Sequence, residues 1–251
     1  MLSTWQEVKL VAHFRPPTLF RDSLPAMATS TVEDYLKQIL LEELVGGGGR
    51  VSTGRIAQAL AVTPGTVTSM LKTLADGDLV DYEAYGGVRL TAAGRRLALH
   101  VVRRHRLIEL FLVRVMGIDW SEVHAEAERL EHAVSERLIE RMDEMLGHPS
   151  VDPHGDPIPS AALALPSDGS ELPTLATGNI GVRYRVSRIA DQSPDFLRVV
   201  EKLGLRPGKK LRLLAVDPAA DTLEVELDSG IRSRRASLGL RAAEKIHVER
   251  A

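Results

Sequence analysis

Histidine and glutamate side chains between positions 105 and 132 have spacings that could hold a metal ion. His105 and Glu109 are four residues apart. A second set, at i, i+4, i+7 and i+8, comprises His124, Glu128, Glu131 and His132. Residues at these spacings lie along one face of a helix. Each alone is more simply a solvated helical residue, but carboxylates and imidazoles packed between two helices need a neutralising partner. The six together therefore predict a divalent-metal site.

The absence of cysteine limits the chemistry of such a site. None occurs in the 251 residues, which excludes disulfides, thiolate ligands and a cysteine nucleophile. A metal must be held by histidine, carboxylate, methionine or carbonyl groups. The sequence has no His-Glu-x-x-His motif and no serine or lysine in a recognisable nucleophile motif. We therefore expect a binding protein with no catalytic residues, and a metal-dependent hydrolase is the alternative from another class.

The elements that must position these side chains begin with a short helical region. Ser30-Thr31-Val32-Glu33 has the form of a capping box with Ser30 at the N-cap. Apolar residues then recur at three and four until the glycine run 46–49, which predicts an amphipathic helix. Two short helices follow at about 52–60 and 64–76. Thr63 is a suitable cap for the second, and Pro64 fits its first turn.

A hairpin and two long helices come next. Residues 79–82 and 88–90 read as two strands joined by a glycine turn. Thr91 is predicted to cap a helix that runs to about residue 116. A second helix is predicted from 121 to 146, and these two helices carry the histidine and glutamate set.

The carboxyl-terminal part has a different pattern. The preceding segment is rich in Pro, Gly, Ser and Asp and predicts a linker with little core. Four short strands are expected at 182–186, 211–216, 222–227 and 246–248, with a helix near 193–203 between the first two. Short strands of this kind favour a small β-barrel. The expected domains are an extension at 1–28, a unit of short helices and a hairpin at 29–95, a helical unit at 96–148, a linker at 149–178 and a β domain at 179–251.

A helix, a turn, a second helix and a glycine-tipped hairpin form the layout of a winged helix-turn-helix, which binds DNA by placing its second helix in the major groove. We call residues 29–95 the DNA-reading unit. The residues at the start of its recognition helix are Pro64, Gly65, Thr66, Thr68 and Ser69, and the cations placed to contact phosphates are Arg50, Arg55, Lys72 and Arg89. No arginine stands at the start of this helix, so we expect shape and phosphate contacts to supply much of the specificity. The alternative is a three-helix fragment that packs for stability, or a wing used for protein contacts.

Charge and composition bound the partners and the compartment. The net charge is −2, which argues mildly against nucleic acid as a partner, although a local cationic surface and a bound cation would suffice. No apolar run reaches the ~20 residues of a membrane helix. The amino terminus lacks the apolar core of a signal peptide, so we expect a cytoplasmic protein. Met27 stands directly before the first helix signal and is an alternative start of the chain.

From about Ser30 to the carboxyl terminus, the chain resembles the diphtheria-toxin-repressor family of metal-dependent transcriptional regulators, and within it the manganese transport regulator type. Six segments carry the resemblance: Val32–Leu36, Ala57–Val62, His105–Glu109, Glu126 to His132, Asp152–Pro159 and Leu205–Gly208. It implies a mostly α protein with a winged helix-turn-helix, a helical metal-binding and dimerisation domain and a C-terminal SH3-like barrel. It also implies a homodimer that binds double-stranded operator DNA.

The resemblance further implies two metal sites in each subunit. Its primary site corresponds to Asp34, Glu128, Glu131 and His132, and its ancillary site to His105, Glu109 and His124. Some members also recruit the linker and the barrel, which here implies Asp152 and His154, with Asp191 or Asp195 as weaker candidates.

The sequence departs from the iron-responsive pattern at two positions. Asp34 stands where iron-responsive members usually have Met, and Glu128 where they usually have Cys. Oxygen ligands suit Mn²⁺, so we expect Mn²⁺ as the metal and Fe²⁺ as the alternative. Lys37 occupies a position where some manganese regulators have a bridging Glu, which argues against a two-metal cluster built through that residue.

The expected function is a Mn²⁺-activated DNA-binding regulator of metal-transport genes. Asp34 would let a bound metal tie the DNA-reading unit to the dimer scaffold. The dimer surface is expected on the long helices, through Leu97, Val101, Val102, Leu107, Leu110 and Phe111. The alternatives are an Fe²⁺-dependent repressor of iron uptake genes and a structural protein with a fortuitous His/Glu cluster.

Overall fold

A computed structural model of the protein describes residues 29–165, 172–228 and 233–251. The predicted extension at 1–28 lies outside the described residues. Helices dominate up to residue 145, and an antiparallel sheet forms most of the remainder. The expected fold class, mostly α with a small β domain, is confirmed.

The DNA-reading unit is built from three helices and a hairpin. The helices are α1 (Ser30–Val45), α2 (Thr53–Ala59) and α3 (Pro64–Asp76). Two strands, β1 (Val80–Glu83) and β2 (Gly87–Leu90), pair antiparallel as the wing. Apolar residues from all of these elements form one buried core.

The caps of this unit follow from short polar side chains. Thr63 Oγ1 accepts a hydrogen bond from the Thr66 amide at 3.2 Å, as predicted. The predicted Ser30 cap is wrong by one residue, because Thr29 has the extended backbone and its hydroxyl accepts from the Val32 amide. Glu33 is therefore free of a capping role and turns towards the helical domain.

The helical domain consists of α4 (Ala92–Arg114), α5 (Val123–Leu130) and α6 (Glu136–Met145). The single helix predicted at 121–146 is therefore wrong. The chain turns at 131–135, and Ser135 has an extended backbone at the N-cap of α6. The turn moves Glu131 and His132 off the face shared by His124 and Glu128, and directs them towards α1. The proposed boundary between residues 95 and 96 falls inside α4.

The third domain is a five-stranded antiparallel sheet with two helices. Its strands are β3 (Arg183–Ile189), β4 (Lys210–Asp217), β5 (Thr222–Leu227), β6 (Arg234–Gly239) and β7 (Ile246–Arg250), and its helices are α7 (Pro194–Leu203) and α8 (Leu240–Ala243). The strand order is β6-β5-β4-β3-β7. Strand β6 was not predicted from the sequence, because only Ala236 and Leu238 on it are buried, and two arginines, one serine and one glycine make up the rest.

The predicted linker contributes buried side chains over its described part. Asp152, His154 and Ile158 are buried, and Leu175 belongs to the core of the third domain. The carbonyl of His154 accepts a hydrogen bond from the Ile189 amide at 2.8 Å. This segment therefore joins the helical domain to β3 and is not a free spacer.

We expect Gly155→Val to undock the third domain from the helical domain. Gly155 has φ +90°, and a Cβ there would lie 2.0 Å from the Ser187 carbonyl oxygen, which forces the backbones apart. Small-angle X-ray scattering should show a larger radius of gyration. Gly117→Val is the matched control, since Gly117 also has positive φ but its Cβ would meet nothing within 4 Å. Equal radii for the two variants would contradict the docking role.

The predicted dimer surface on α4 is wrong in most of its residues. Val101, Val102, Leu107 and Leu110 are buried within the single chain, because α4 is the central helix around which α1, α5 and α6 pack. Exposed apolar side chains occur instead at Leu130, Leu138 and Met145 on α5 and α6.

Within the described residues, no helix combines the length and apolar character needed to cross a bilayer.

Candidate metal centre and nucleic-acid interface

The first group of candidate ligands joins α1 to the turn after α5, and we call it the outer site: Asp34, Glu131 and His132. His132 Nε2 lies 2.9 Å from Asp34 Oδ1 and 3.3 Å from Glu131 Oε1. Ligand atoms ~2.2 Å from a divalent ion and at right angles lie ~3.1 Å apart. The distances from His132 to both carboxylates therefore fit adjacent ligands of one small divalent cation, and the ligand atoms of all three residues lie within 4.8 Å of one another.

Glu33 orients His132 from the other side of its ring. Glu33 Oε2 lies 2.6 Å from His132 Nδ1, which leaves Nε2 directed at the outer site. A carboxylate on the second ring nitrogen fixes the tautomer of a metal-binding histidine. The contact of Glu33 with His132 was not predicted from the sequence, where Glu33 fits a capping box.

The second group lies between α4 and α5, and we call it the inner site: His105, Glu109 and His124. Its three ligand atoms form a nearly equilateral triangle. Glu109 Oε1 is 3.0 Å from His105 Nε2 and 3.1 Å from His124 Nδ1, and the two nitrogens are 3.1 Å apart. This triangle has the dimensions of one face of an octahedral site with ~2.2 Å bonds.

A third group brings the linker to the inner site. His154 Nε2 is held 2.9 Å from the Trp120 carbonyl oxygen, whereas Nδ1 is buried and has no hydrogen-bond partner among the described residues. That nitrogen lies 3.8 Å from Glu109 Oε2. Asp152 completes the group, with ligand atoms that all lie within 4.8 Å of one another. An unpartnered buried nitrogen facing two carboxylates fits a cation between them.

A cavity of about 170 Å³ lies beside the inner site and Asp152 and extends to the third domain, and no residue of the outer site lines it. Gln192 and Asp156 line it, and Gln192 Nε2 donates to Asp156 Oδ2 at 2.5 Å. The weaker barrel candidates do not reach the cavity. Asp191 pairs with Lys245 at 2.7 Å, and the Asp195 side chain is 99% exposed. Gln192 was missed, because a single glutamine in a loop carries no distinguishing pattern.

The charges in the centre are strongly coupled. Burial lowers the pKa of His105, but hydrogen bonds with Glu109 and Glu131 outweigh it and raise the value to about 9. The same contacts hold the pKa of both glutamates below the usual range, against the effect of burial. Burial, together with the nearby Asp156 and Glu109 charges, raises the pKa of Asp152. A divalent cation would relieve the repulsion around Asp152.

Lys37 lies between the outer and inner sites. Its Nζ is 2.7 Å from Glu128 Oε1 and 2.6 Å from Glu131 Oε1, and the residue is only 7% exposed. Burial lowers the pKa of Lys37, but the two carboxylates outweigh that effect and raise it. Glu128 therefore faces Lys37 as well as the inner histidines, with its Oε1 3.6 Å from His124 Nε2.

The start of α3 is open to solvent, as an element that enters a DNA groove must be. Pro64, Gly65, Thr66 and Ser69 are exposed there. Thr68 is half-buried and donates to the Pro64 carbonyl at 2.9 Å. A cleft of about 430 Å³ separates α3 from the wing, and Lys72 lines it.

The three arginines predicted to contact phosphates all have acidic partners. Arg50 and Arg89 lie 2.8 and 3.0 Å from Asp81 Oδ2, and Arg55 lies 2.5 Å from Glu42. These ion pairs restrain the guanidinium groups and reduce the net charge that they could offer to phosphates. Tyr85 is fully exposed at the tip of the wing with φ +66°, and it was not among the predicted DNA-contact residues.

Models of three known domain families match successive parts of the chain. Residues 27–88 match "Iron dependent repressor, N-terminal DNA binding domain", and residues 91–160 match "Iron dependent repressor, metal binding and dimerisation domain". Residues 174–250 match the FeoA domain. Among curated relatives, the iron-dependent repressor IdeR of Mycobacterium leprae is 31% identical over 77% of this chain and 87% of the relative. The regulator MntR of Bacillus velezensis is 39% identical over 48% of this chain and 82% of the relative.

Solved structures agree with this similarity over most of the chain. A manganese-dependent transcriptional repressor in complex with manganese is 40% identical, with a TM-score of 0.77 over 88% of this chain and all of that one. The structure of ScaR with bound Zn²⁺ is 33% identical, with a TM-score of 0.69 over 88% of this chain and 99% of that one. IdeR of T. acidophilum is 29% identical, with a TM-score of 0.66 over 91% of this chain and all of that one.

Proposed function

The chain belongs to the iron-dependent repressor family of metal-dependent transcriptional regulators, and from this premise we propose that it binds operator DNA when Mn²⁺ occupies its metal centre. One observation carries the proposal. Asp34 lies on α1, whose apolar face packs into the core of the DNA-reading unit, and its carboxylate meets His132 of the helical domain at 2.9 Å. A metal at the outer site would therefore fasten the DNA-reading unit to the helical domain.

The mechanism is a shift between two populations of the same chain. The ion supplies positive charge and fixed coordination to three side chains from two domains. Glu33, on His132 Nδ1, would direct the Nε2 lone pair of His132 at a bound ion, and Asp34 would hold the ion from α1. A metal that binds the fastened arrangement better than the loose one raises DNA affinity by that difference. Two ions per subunit are proposed: one in the outer site, and one in the inner site with Asp152 and His154 as further ligands.

Mn²⁺ is favoured by the ligand chemistry. The candidate ligands are carboxylate and imidazole groups, with no sulfur, and the carboxylate oxygens suit Mn²⁺ in octahedral geometry. The manganese-dependent repressor whose structure is described as a complex with manganese supports the same metal for this chain. Fe²⁺ is the alternative, because the Mycobacterium leprae relative is named an iron-dependent repressor. The regulated genes are proposed to serve metal transport and homeostasis.

The partners proposed are operator DNA and a second copy of this chain, and the proposed compartment is the cytoplasm. The matched dimerisation domain covers residues 91–160. Within it, the exposed apolar side chains Leu130, Leu138 and Met145 supply a surface that the single chain leaves open. A twofold dimer would present two α3 helices to half-sites about one helical turn, ~34 Å, apart.

DNA enriched from a random pool by the Mn²⁺-loaded protein provides the test. Fluorescence anisotropy at fixed salt would compare Mn²⁺, Fe²⁺ under anaerobic conditions, and chelator. We expect Mn²⁺ to tighten binding at least ~10-fold over chelator, with Fe²⁺ weaker than Mn²⁺. Equal affinity in Mn²⁺ and chelator would refute metal activation, and stronger activation by Fe²⁺ would identify iron as the metal.

A further prediction concerns the DNA surface. Lys72→Ala should weaken binding to all DNA sequences alike and reduce the slope of log affinity against log salt by about 1, because one phosphate contact is lost. Lys72 is exposed beside the wing cleft. Lys202→Ala, an exposed lysine on α7, is the control and should leave the slope unchanged. Equal slopes for wild type and Lys72→Ala would place the phosphate contacts elsewhere.

A further inference from the structure

The outward face of the sheet in the third domain carries four cations side by side. Arg183 and Arg185 are two residues apart on β3, and Lys210 and Arg212 are two residues apart on β4. All four are exposed. The register of the two strands sets Arg183 opposite Arg212 and Arg185 opposite Lys210. We call these four residues the cationic block.

The cationic block is unfavourable for the chain on its own. Residues directly opposite each other on neighbouring strands have Cβ atoms about 4.5–5.5 Å apart, and like charges at such positions destabilise a sheet. The side chains of Arg183 and Lys210 have no hydrogen-bonding or ionic partner among the described residues. Arg185 Nε lies 3.7 Å from Glu249 Oε1, and Arg212 Nε donates to a backbone carbonyl at 3.1 Å. An external anion therefore explains the two like-charge pairs better than folding does.

The third domain is basic, although the chain as a whole is not. Residues 172–251 contain 15 lysines and arginines and 10 aspartates and glutamates, a net charge of +5. Residues 1–171 contain 17 and 24 of these, a net charge of −7. A local field can attract an anion whatever the net charge of the whole protein. The third domain is therefore the part of the chain that attracts anions.

Both signs of charge occur around the cationic block, with cations in excess. Three acidic residues border it on β5 and β7: Glu226, Asp228 and Glu249. Two more exposed cations lie at the same end of the sheet: Lys209 and Arg250. This end of the sheet therefore holds six cations and three acidic groups, and its positive charge is only partly neutralised from within.

Double-stranded nucleic acid fits this surface better than single strands do. Proteins that bind single strands stack the bases on aromatic side chains. The aromatic residues of the third domain are Tyr184, which is buried in its core, and Phe196, which is half-buried against it. Arginine and lysine without aromatic neighbours contact phosphates, which carry no sequence information of their own. The chemistry therefore favours the phosphate backbone of a duplex.

We infer that the cationic block binds the phosphate backbone of double-stranded DNA without regard to sequence. The inference shares DNA as a partner with the proposed function but goes beyond it, because it requires neither an operator nor a metal ion. Contacts of this kind supply non-specific affinity and let a protein slide along DNA. The third domain would therefore help to hold the protein on DNA while α3 searches for its site.

Arg183→Gln/Lys210→Gln tests the inference in the full-length protein. Fluorescence anisotropy in chelator would measure binding to a duplex of random sequence at several salt concentrations. We expect the double variant to bind more weakly and to reduce the slope of log affinity against log salt by about 2, because each lost phosphate contact removes ~0.9. An unchanged slope would overturn the inference. Lys202→Gln/Arg241→Gln removes two exposed cations from α7 and α8 and should keep the wild-type slope.

Urea unfolding separates a lost contact from a lost fold. The double variant Arg183→Gln/Lys210→Gln relieves both like-charge pairs, so it should be at least as stable as the wild type. A clear loss of stability would show that the two cations serve the fold, and it would overturn the inference.

Poly-glutamate distinguishes DNA from an acidic protein as the partner. If the wild type binds poly-glutamate, the double variant does not, and the salt slope on DNA is the same for both, the cationic block serves an acidic protein and the inference is wrong. Failure of the proposed function looks different, because it appears as equal operator affinity in Mn²⁺ and in chelator. The salt slope on random duplex DNA is independent of that comparison.

Discussion

Asp34→Ala is expected to abolish most of the Mn²⁺-dependent gain in DNA affinity, a loss of about 5- to 150-fold at saturating metal. Asp34 is the α1 member of the outer site, and its Oδ1 lies 2.9 Å from His132 Nε2. Without this carboxylate, an ion held by Glu131 and His132 no longer reaches the DNA-reading unit. Fluorescence anisotropy at fixed salt, with Mn²⁺ and with chelator, measures the gain.

Two comparisons make the Asp34 result specific. Glu140→Ala removes an exposed carboxylate from α6 and should leave the Mn²⁺-dependent gain intact. In chelator, Asp34→Ala and wild type should bind DNA with similar weak affinity, because the DNA-facing residues are unchanged. If Asp34→Ala retains the full gain, the proposed link through α1 is wrong.

Glu131→Leu is expected to lower the free energy of unfolding by about 3–5 kcal/mol even in chelator. Glu131 is fully buried and contacts Lys37 at 2.6 Å, His105 at 2.5 Å and His132 at 3.3 Å. Its removal leaves the Lys37 charge buried with only Glu128 as a partner. Urea unfolding followed by circular dichroism measures the loss, and Glu140→Leu is the exposed control.

The double variant Lys37→Met/Glu131→Leu separates the two contributions to this loss. Replacement of both members of a buried ion pair by apolar residues is often nearly neutral, so the double variant should recover much of the stability lost in Glu131→Leu. A loss below about 1 kcal/mol in the single variant would show that the Glu131 contacts contribute little. In that case groups other than Glu131 would neutralise the positive charge of Lys37.

Both predictions start from a metal centre in which charged and polar side chains already link α1 to the helical domain in the absence of metal. Lys37 and the ring of His132 connect α1 to the α5–α6 turn before any ion binds. An ion at the outer site would be held by His132 and Asp34, and coordination would then take the place of the hydrogen bond between them. The difference in free energy between these two kinds of link is what would be available to favour DNA binding.

The sequence predicted the DNA-reading unit well because its signals are local. Thr63 and Pro64 fix the start of α3, the glycine run ends α1, and paired glycines make the wing turn. Each depends on backbone conformation or capping within a few residues. The single cap error at Ser30 arose because Thr29 offers the same hydroxyl one residue earlier.

The residues of the metal centre could be predicted from the sequence, but their arrangement in space could not. Helical spacing grouped His105 with Glu109 and His124 with Glu128, and the structure keeps both pairs together. The break after Leu130 could not be read from periodicity, since apolar and charged residues continue through it. Glu33 and Gln192 reach the centre through tertiary contacts that leave no local pattern.

The prediction of the dimer surface on α4 failed for a related reason. A row of apolar residues on α4 shows that one face is buried but does not show what buries it. Here α1, α5 and α6 of the same chain cover Val101, Val102, Leu107 and Leu110. Only the folded chain shows that Leu130, Leu138 and Met145 on α5 and α6 remain exposed.

The central claim is that metal and DNA favour the same state of one chain, and thermodynamic linkage tests it most directly. Calorimetry would measure the Mn²⁺ dissociation constant of the wild-type protein with and without saturating operator DNA. Linkage requires DNA to tighten Mn²⁺ binding by the same factor by which Mn²⁺ tightens DNA binding. We predict this equality, with a factor of at least ~10, and a Mn²⁺ affinity that is indifferent to DNA would contradict the account.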